Sequence, residues 1–132
     1  FKGSLEGKKI AVWGLAFKPD TDDIREAPAL YLIEKLLDSG AKVCAYDPEA
    51  MDNVKSVIGD KIEYANNEYE VLSDCDALLI CTEWSIFRNP DFDRMKDEMS
   101  DLVVFDGRNL FDIEEMNNRG FYYSSIGRKL IK

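Results

Sequence analysis

The chain alternates short apolar runs with stretches of helical spacing. Residues 10–14 (IAVWG) are almost continuously apolar, which predicts a strand buried on both faces. Pro28 opens the next segment, where Leu30, Ile33, Leu36 and Leu37 recur at helical spacing. This predicts a helix over 28–39, closed by Ser39 and a left-handed Gly40. The same reading predicts strands over 42–46, 61–64, 77–82, 102–105 and 121–124, and helices over 49–58, 68–73, 91–99 and 113–119. The tail SIGRKLIK is short and basic.

Strand and helix alternate with short connections, which argues for an α/β fold. We expect a Rossmann-like three-layer domain: a five- or six-stranded, mainly parallel sheet with helices on both faces. Residues 1–7 (FKGSLEG) read as a connector, since Gly3, Ser4 and Gly7 interrupt any arriving helix. Residues 8–132 read as one domain, a size that suits a single core. An opening Phe1 in place of Met points to a piece of a longer chain.

Charge narrows the function. The chain carries 17 basic and 26 acidic residues, a formal net charge of −9. That disfavours nucleic acid and anionic membrane surfaces, which need a basic face. An anionic ligand needs a local cationic pocket instead. No apolar run approaches the roughly 20 residues of a membrane span, and no signal peptide is visible. The three cysteines, Cys44, Cys75 and Cys81, form no C-x-x-C pair, and there is no histidine. Neither a disulfide framework nor a metal site is indicated, and a reducing cytoplasm is the natural compartment. Cys44 and Cys81 sit in apolar runs with no base nearby, so they read as core residues and not as nucleophiles.

The candidate chemistry lies where strands end. The loop after the first strand holds Lys18 and Arg25 among four acids. Lys18 is a flexible point charge and Arg25 a planar fork, both suited to phosphate or carboxylate. Arg25 can equally pair with Asp22 or Asp23 on the surface. The loop lacks G-x-G-x-x-G, Gly14 standing alone, so an independent NAD site of the usual kind is not expected. Asp106-Gly107-Arg108-Asn109 follows another strand at the same sheet edge, where Arg108 either converges with Lys18 or is solvated in a turn. Trp84, after Cys81-Thr82-Glu83, either stacks on a base or packs. Asp47 is placed to read a ribose or to start the helix that follows.

The segment GLAFKPDTDDIREAP (14–28) resembles the C-terminal domain of nucleotide-sugar 6-dehydrogenases, above all those that act on UDP-glucose. CTEWSIF (81–87), VVFDGRNLFD (103–112) and FYYSSIGR (121–128) resemble the family's later motifs in the same order. The resemblance implies a UDP-binding domain whose parent oxidises the C6 alcohol of UDP-glucose to UDP-glucuronate with two NAD+, through a catalytic cysteine. It implies that Phe17, Lys18 and Arg108 contact the UDP-sugar and that Arg25 reaches NAD. It also implies an NAD domain upstream and a homodimer through a central helix. The glycine-rich NAD fingerprint and the glycine-flanked catalytic cysteine are both absent, so this segment alone is expected to be inactive. Ala27 stands where relatives often carry a capping serine. Two other readings remain: a related dehydrogenase acting on UDP-N-acetylmannosamine or GDP-mannose, and a non-enzymatic flavodoxin-like or receiver-type module that binds a partner, with Asp47 and Asp106 as the acids for Mg2+ and phosphate acceptance.

Overall fold

The computed structural model describes residues 6–15, 28–82, 85–88, 90–107 and 110–125. Six parallel strands form one sheet: β1 (Lys9–Trp13), β2 (Lys42–Tyr46), β3 (Glu63–Tyr64), β4 (Ala77–Ile80), β5 (Val103–Asp106) and β6 (Tyr122–Ser125). Their spatial order is β3-β2-β1-β4-β5-β6. This is the doubly wound order in which the chain runs outward from β1, returns, and runs outward again from β4. Every pairing among the described residues is parallel, so all six strands present their carboxyl ends at one edge.

Helices α1 (Pro28–Asp38) and α2 (Met51–Ile58) cover one face. Ile10 and Val12 of β1, Val43 and Ala45 of β2, and Ala77 and Leu79 of β4 pack there against Ala29, Ile33, Val54 and Ile58. The alternate residues point the other way. Ala11, Trp13, Cys44, Leu78, Ile80, Val104 and Tyr123 meet α3 (Ser85–Arg88), α4 (Phe92–Glu98) and α5 (Ile113–Asn118) through Phe87, Met95 and Met116. A strand with apolar residues at every position is stable only between two such layers. Trp13 anchors the second layer: its ring stacks on Phe87 with centroids 4.8 Å apart. Its Nε1–H donates to the Glu68 carbonyl at 2.9 Å.

The stripe on α1 is as the spacing predicts, with Ile33 fully buried and Leu30, Leu36 and Leu37 packed beside it. The helix closes with Gly40 at φ +86°, where the Ala41 N–H reaches Leu36 O and the Gly40 N–H reaches Leu37 O. That paired arrangement satisfies the last carbonyls and requires the left-handed conformation glycine tolerates.

Four details differ from the sequence-based expectation. The helix expected over 68–73 is a single 3-10 turn, Glu70–Leu72. The strand expected over 61–64 shrinks to Glu63–Tyr64, because a 3-10 turn, Gly59–Lys61, occupies its start. The strand expected over 77–82 ends at Ile80. Helix α3 was not anticipated, since four residues are too few to display a period.

Candidate functional site

The strand order creates one place where the chain divides. β1 and β4 are neighbours, yet the connection after β1 leads to α1 on one face and that after β4 leads to α3 on the other. In an open parallel sheet such a switch point leaves a crevice beyond the strand ends, where ligands bind.

Backbone hydrogen bonds carry the strand ladder past the formal strand ends. Cys81 N–H donates to Trp13 O at 2.9 Å, and Gly107 N–H donates to Ile80 O at 2.9 Å. Leu15, Thr82 and Gly107 therefore stand side by side as the last described residues before three loops. Gly14 forms the seam. Its φ is +92°, and a Cβ there would fall 2.4 Å from the Thr82 Cβ. Only glycine lets β1 and β4 close so tightly at the point where they part.

The same observation bears on the cofactor. In a dinucleotide fingerprint, glycines leave room for a pyrophosphate to approach the backbone. Here the space beside Gly14 is filled by Thr82.

Two buried aspartates hold the loop ends. Asp47, one residue past β2, is fully buried. Its Oδ2 accepts from Leu15 N–H at 2.7 Å, and its Oδ1 accepts from Glu49 N–H and Ala50 N–H, each at 2.8 Å. Of the two roles open to it in the sequence, the approach to helix α2 is the one these contacts display. Asp106, the last residue of β5, is also fully buried. Its Oδ2 accepts from Leu110 N–H at 2.6 Å, from Phe111 N–H at 3.3 Å and from the Tyr123 hydroxyl at 2.5 Å.

The predicted contact residues Phe17, Lys18, Arg25 and Arg108 all lie outside the described residues, as do Asp22, Asp23, Glu83 and Trp84. What the structure brings together is their attachment points. Leu15 is two residues before Phe17, and Gly107 immediately precedes Arg108. β1 and β5 are separated by β4 alone, so these anchors lie about two strand spacings, ~10 Å, apart. Sequence reasoning weighed Asp106 only as a metal ligand and did not single out Tyr123. The signal was present in the recurring aspartate at strand ends, each followed within a few residues by a helix.

The receiver-type reading does not survive this arrangement. Asp47 and Asp106 are three strand spacings apart, ~14 Å, too far to share one cation. Both already accept backbone N–H groups.

All three cysteines are buried. Burial pushes the Cys75 thiol up to about 12, with Lys9 opposing the shift. Burial raises Cys44 as well, again against the pull of Lys9. Both remain protonated thiols at neutral pH, inert as nucleophiles, as their apolar setting predicts.

Fold and strand order define the class: a doubly wound α/β domain with a switch point between β1 and β4. The UDP-binding domain of the UDP-glucose/GDP-mannose dehydrogenase family matches residues 11–113. A UDP-glucose 6-dehydrogenase of Rhizobium meliloti is 46% identical over 126 residues, covering 96% of this chain and 29% of the relative. A UDP-glucose dehydrogenase structure from Pyrobaculum islandicum superposes with a TM-score of 0.78 at 32% identity, covering 93% of this chain and 26% of that one. An NDP-N-acetyl-D-galactosaminuronic acid dehydrogenase from Methanosarcina mazei gives 0.82 at 30% identity, covering 96% and 26%. This chain belongs to the UDP-glucose/GDP-mannose dehydrogenase family, of which it is the UDP-binding domain. It spans less than a third of the length of these relatives.

Proposed function

We propose that the chain holds the uridine diphosphate of a UDP-sugar in the crevice between the β1 and β4 loops. Phe17, Lys18 and Arg108 contact the substrate, and Arg25 reaches across to NAD. Supporting this is the shared edge: the loop with Phe17 and Lys18 and the loop with Arg108 spring from anchors ~10 Å apart. A diphosphate suits two cations carried from one sheet edge, and an arginine fork adds direction to the charge. An acidic protein of net charge −9 needs such a local positive notch to hold an anion.

The longer enzyme oxidises UDP-glucose to UDP-glucuronate with NAD+. Its NAD-binding segment, its reacting cysteine and the helix through which it pairs as a homodimer belong to parts outside this chain, and it works in the cytoplasm. The role of this chain is binding and orientation.

Titrating the chain with UDP, followed by calorimetry or by amide resonances, tests the reading. UDP binds, and Lys18→Ala and Arg108→Ala each weaken it about tenfold, the scale of one charge-assisted contact. UDP binding that survives both changes overturns the site assignment. A second reading keeps the family and changes the nucleotide sugar, to UDP-N-acetylmannosamine or GDP-mannose. It is favoured by the TM-score of 0.82 with the NDP-N-acetyl-D-galactosaminuronic acid dehydrogenase. Turnover of a panel of UDP-sugars and GDP-mannose by the longer enzyme decides between them.

A further inference from the structure

The two faces of the sheet are not equally covered. On one, α3, α4 and α5 pack over the second half through Phe87, Met95 and Met116. On the other, α1 and α2 lie over the first half, and among the described residues no helix extends this layer across β5 and β6. Val103 and Phe105 of β5 are only partly buried there. Tyr122, opposite Val103 in the β5–β6 ladder, is 65% exposed, with its ring edge-on to Phe105 at 6.4 Å. The flank of α1 rises beside this open floor. Leu32, Lys35 and Leu36 line one side of a groove of about 290 Å3, and Leu79 and Phe105 line its base. Tyr31 stands on the crest of α1, 61% exposed, with Lys35 Nζ 5.4 Å from its ring centre. Among the described residues the exposed large apolar side chains are Tyr31, Val57 and Tyr122, and two of these three border this one step.

We propose that the step is a self-association surface filled by a second copy of this chain, with α1 of each copy resting on the open β5–β6 floor of the other. A ridge beside a floor becomes self-complementary under a twofold rotation, which brings each ridge onto the opposite floor. The dimensions agree. The 11 residues of α1 run ~16 Å, and the four-residue strands β5 and β6 run ~13 Å. A parallel sheet is stable with both faces covered, and the partner's α1 supplies the layer that is missing here. A fully covered aromatic side chain buries about 150–250 Å2, so the two tyrosines and their half-buried neighbours offer on the order of 500 Å2 per copy. That is the scale of a specific but transient dimer. Among the described residues lining the groove Lys35 alone is charged. The negative charge of the chain therefore lies outside the contact and opposes it only at a distance. This surface is separate from the helix outside this chain through which the longer enzyme pairs. It leaves the carboxyl edge of the sheet free and does not depend on the UDP reading.

Sedimentation equilibrium and amide resonances of the chain, followed over a concentration series, test this. We expect a monomer–dimer equilibrium in which the resonances of α1, β5 and β6 move on concentration and those of α2 do not. Tyr31→Glu and Tyr122→Glu each weaken association about tenfold or more, because each forces a charge into an apolar contact. Both side chains are exposed in the single copy. Should Tyr122→Glu unfold, Tyr122→Thr keeps a strand-forming residue and carries the same arm. Val57→Glu, at a position 63% exposed on α2, leaves association unchanged. Added salt strengthens the dimer, since it screens the repulsion between two chains of net charge −9. A chain that stays monomeric at millimolar concentration overturns the inference and gives the face to another occupant. So does a dimer that Val57→Glu weakens as much as the tyrosine changes do, or one that salt dissociates.

Discussion

The two halves of the sheet end in the same group, used differently. Asp47 follows β2 in the first half and Asp106 closes β5 in the second, and both are fully buried. Asp47 divides its oxygens between two connections: one takes Leu15 N–H from the neighbouring strand's loop, the other takes Glu49 and Ala50 N–H on the way to α2. Asp106 gathers Leu110 and Phe111 N–H from its own loop and adds the Tyr123 hydroxyl from β6. The first aspartate couples loops that leave two interior strands. The second depends on β6, which among the described residues lies at the margin of the sheet beside β5. Leu15 is thus fastened by the middle of the fold, and Leu110 and Phe111 by its edge.

Breaking the seam between the halves has the largest expected effect. Gly14→Val adds a β-branched side chain where φ is +92° and where Thr82 already occupies the space. Strain and overpacking together cost on the order of 4 kcal/mol. Denaturant unfolding of the variant measures it, and a loss under about 1 kcal/mol would mean that the two strands can part without harm.

Next in size is Asp47→Ala, which leaves the Leu15, Glu49 and Ala50 N–H groups without this acceptor. We expect a loss of about 3 kcal/mol in the same measurement. Asp47→Asn recovers only part of it. Both oxygens accept, so an amide must turn its NH2 toward an N–H donor in either orientation. Full recovery by asparagine would show that one of the two sets of contacts is dispensable.

The smallest effect compares the halves through their thiols. Cys44 lies in β2, and Cys75 just before β4; burial raises both, and Cys75 is pushed up to about 12. Above the ordinary thiol range the unfolded chain releases the Cys75 proton while the folded chain keeps it. Stability therefore falls as pH rises, until the folded thiol titrates near 12. One such proton contributes about 1.4 kcal/mol per pH unit. Unfolding midpoints between pH 8 and 11 check this (roughly the window below the folded value). Cys75→Ala flattens the slope, and Cys44→Ala flattens it less.

Much of the fold was legible because its signals are local. The continuous apolar run of β1, the Leu30/Ile33/Leu36/Leu37 spacing of α1 and the glycine that closes it each declare their structure within a dozen residues. The places where the reading failed share a cause. The 3-10 turns at Gly59–Lys61 and Glu70–Leu72 and the four-residue α3 are too short to repeat the period that would identify them. For the site, the cationic loops and their motifs were plain in the sequence, and so was the family to which they belong.

What the chain alone determined is the succession of strands and helices and the family to which it belongs. Both follow from neighbours in sequence, where periodicity and charge act directly. Tertiary structure alone decided the order β3-β2-β1-β4-β5-β6, and with it which strand ends lie together. It brought Thr82 against Gly14 and the Tyr123 hydroxyl to Asp106. Such contacts join residues from strands far apart in the chain, and no local pattern encodes them. They arise only when the whole sheet closes its two apolar faces and leaves each buried carboxylate to find its donors.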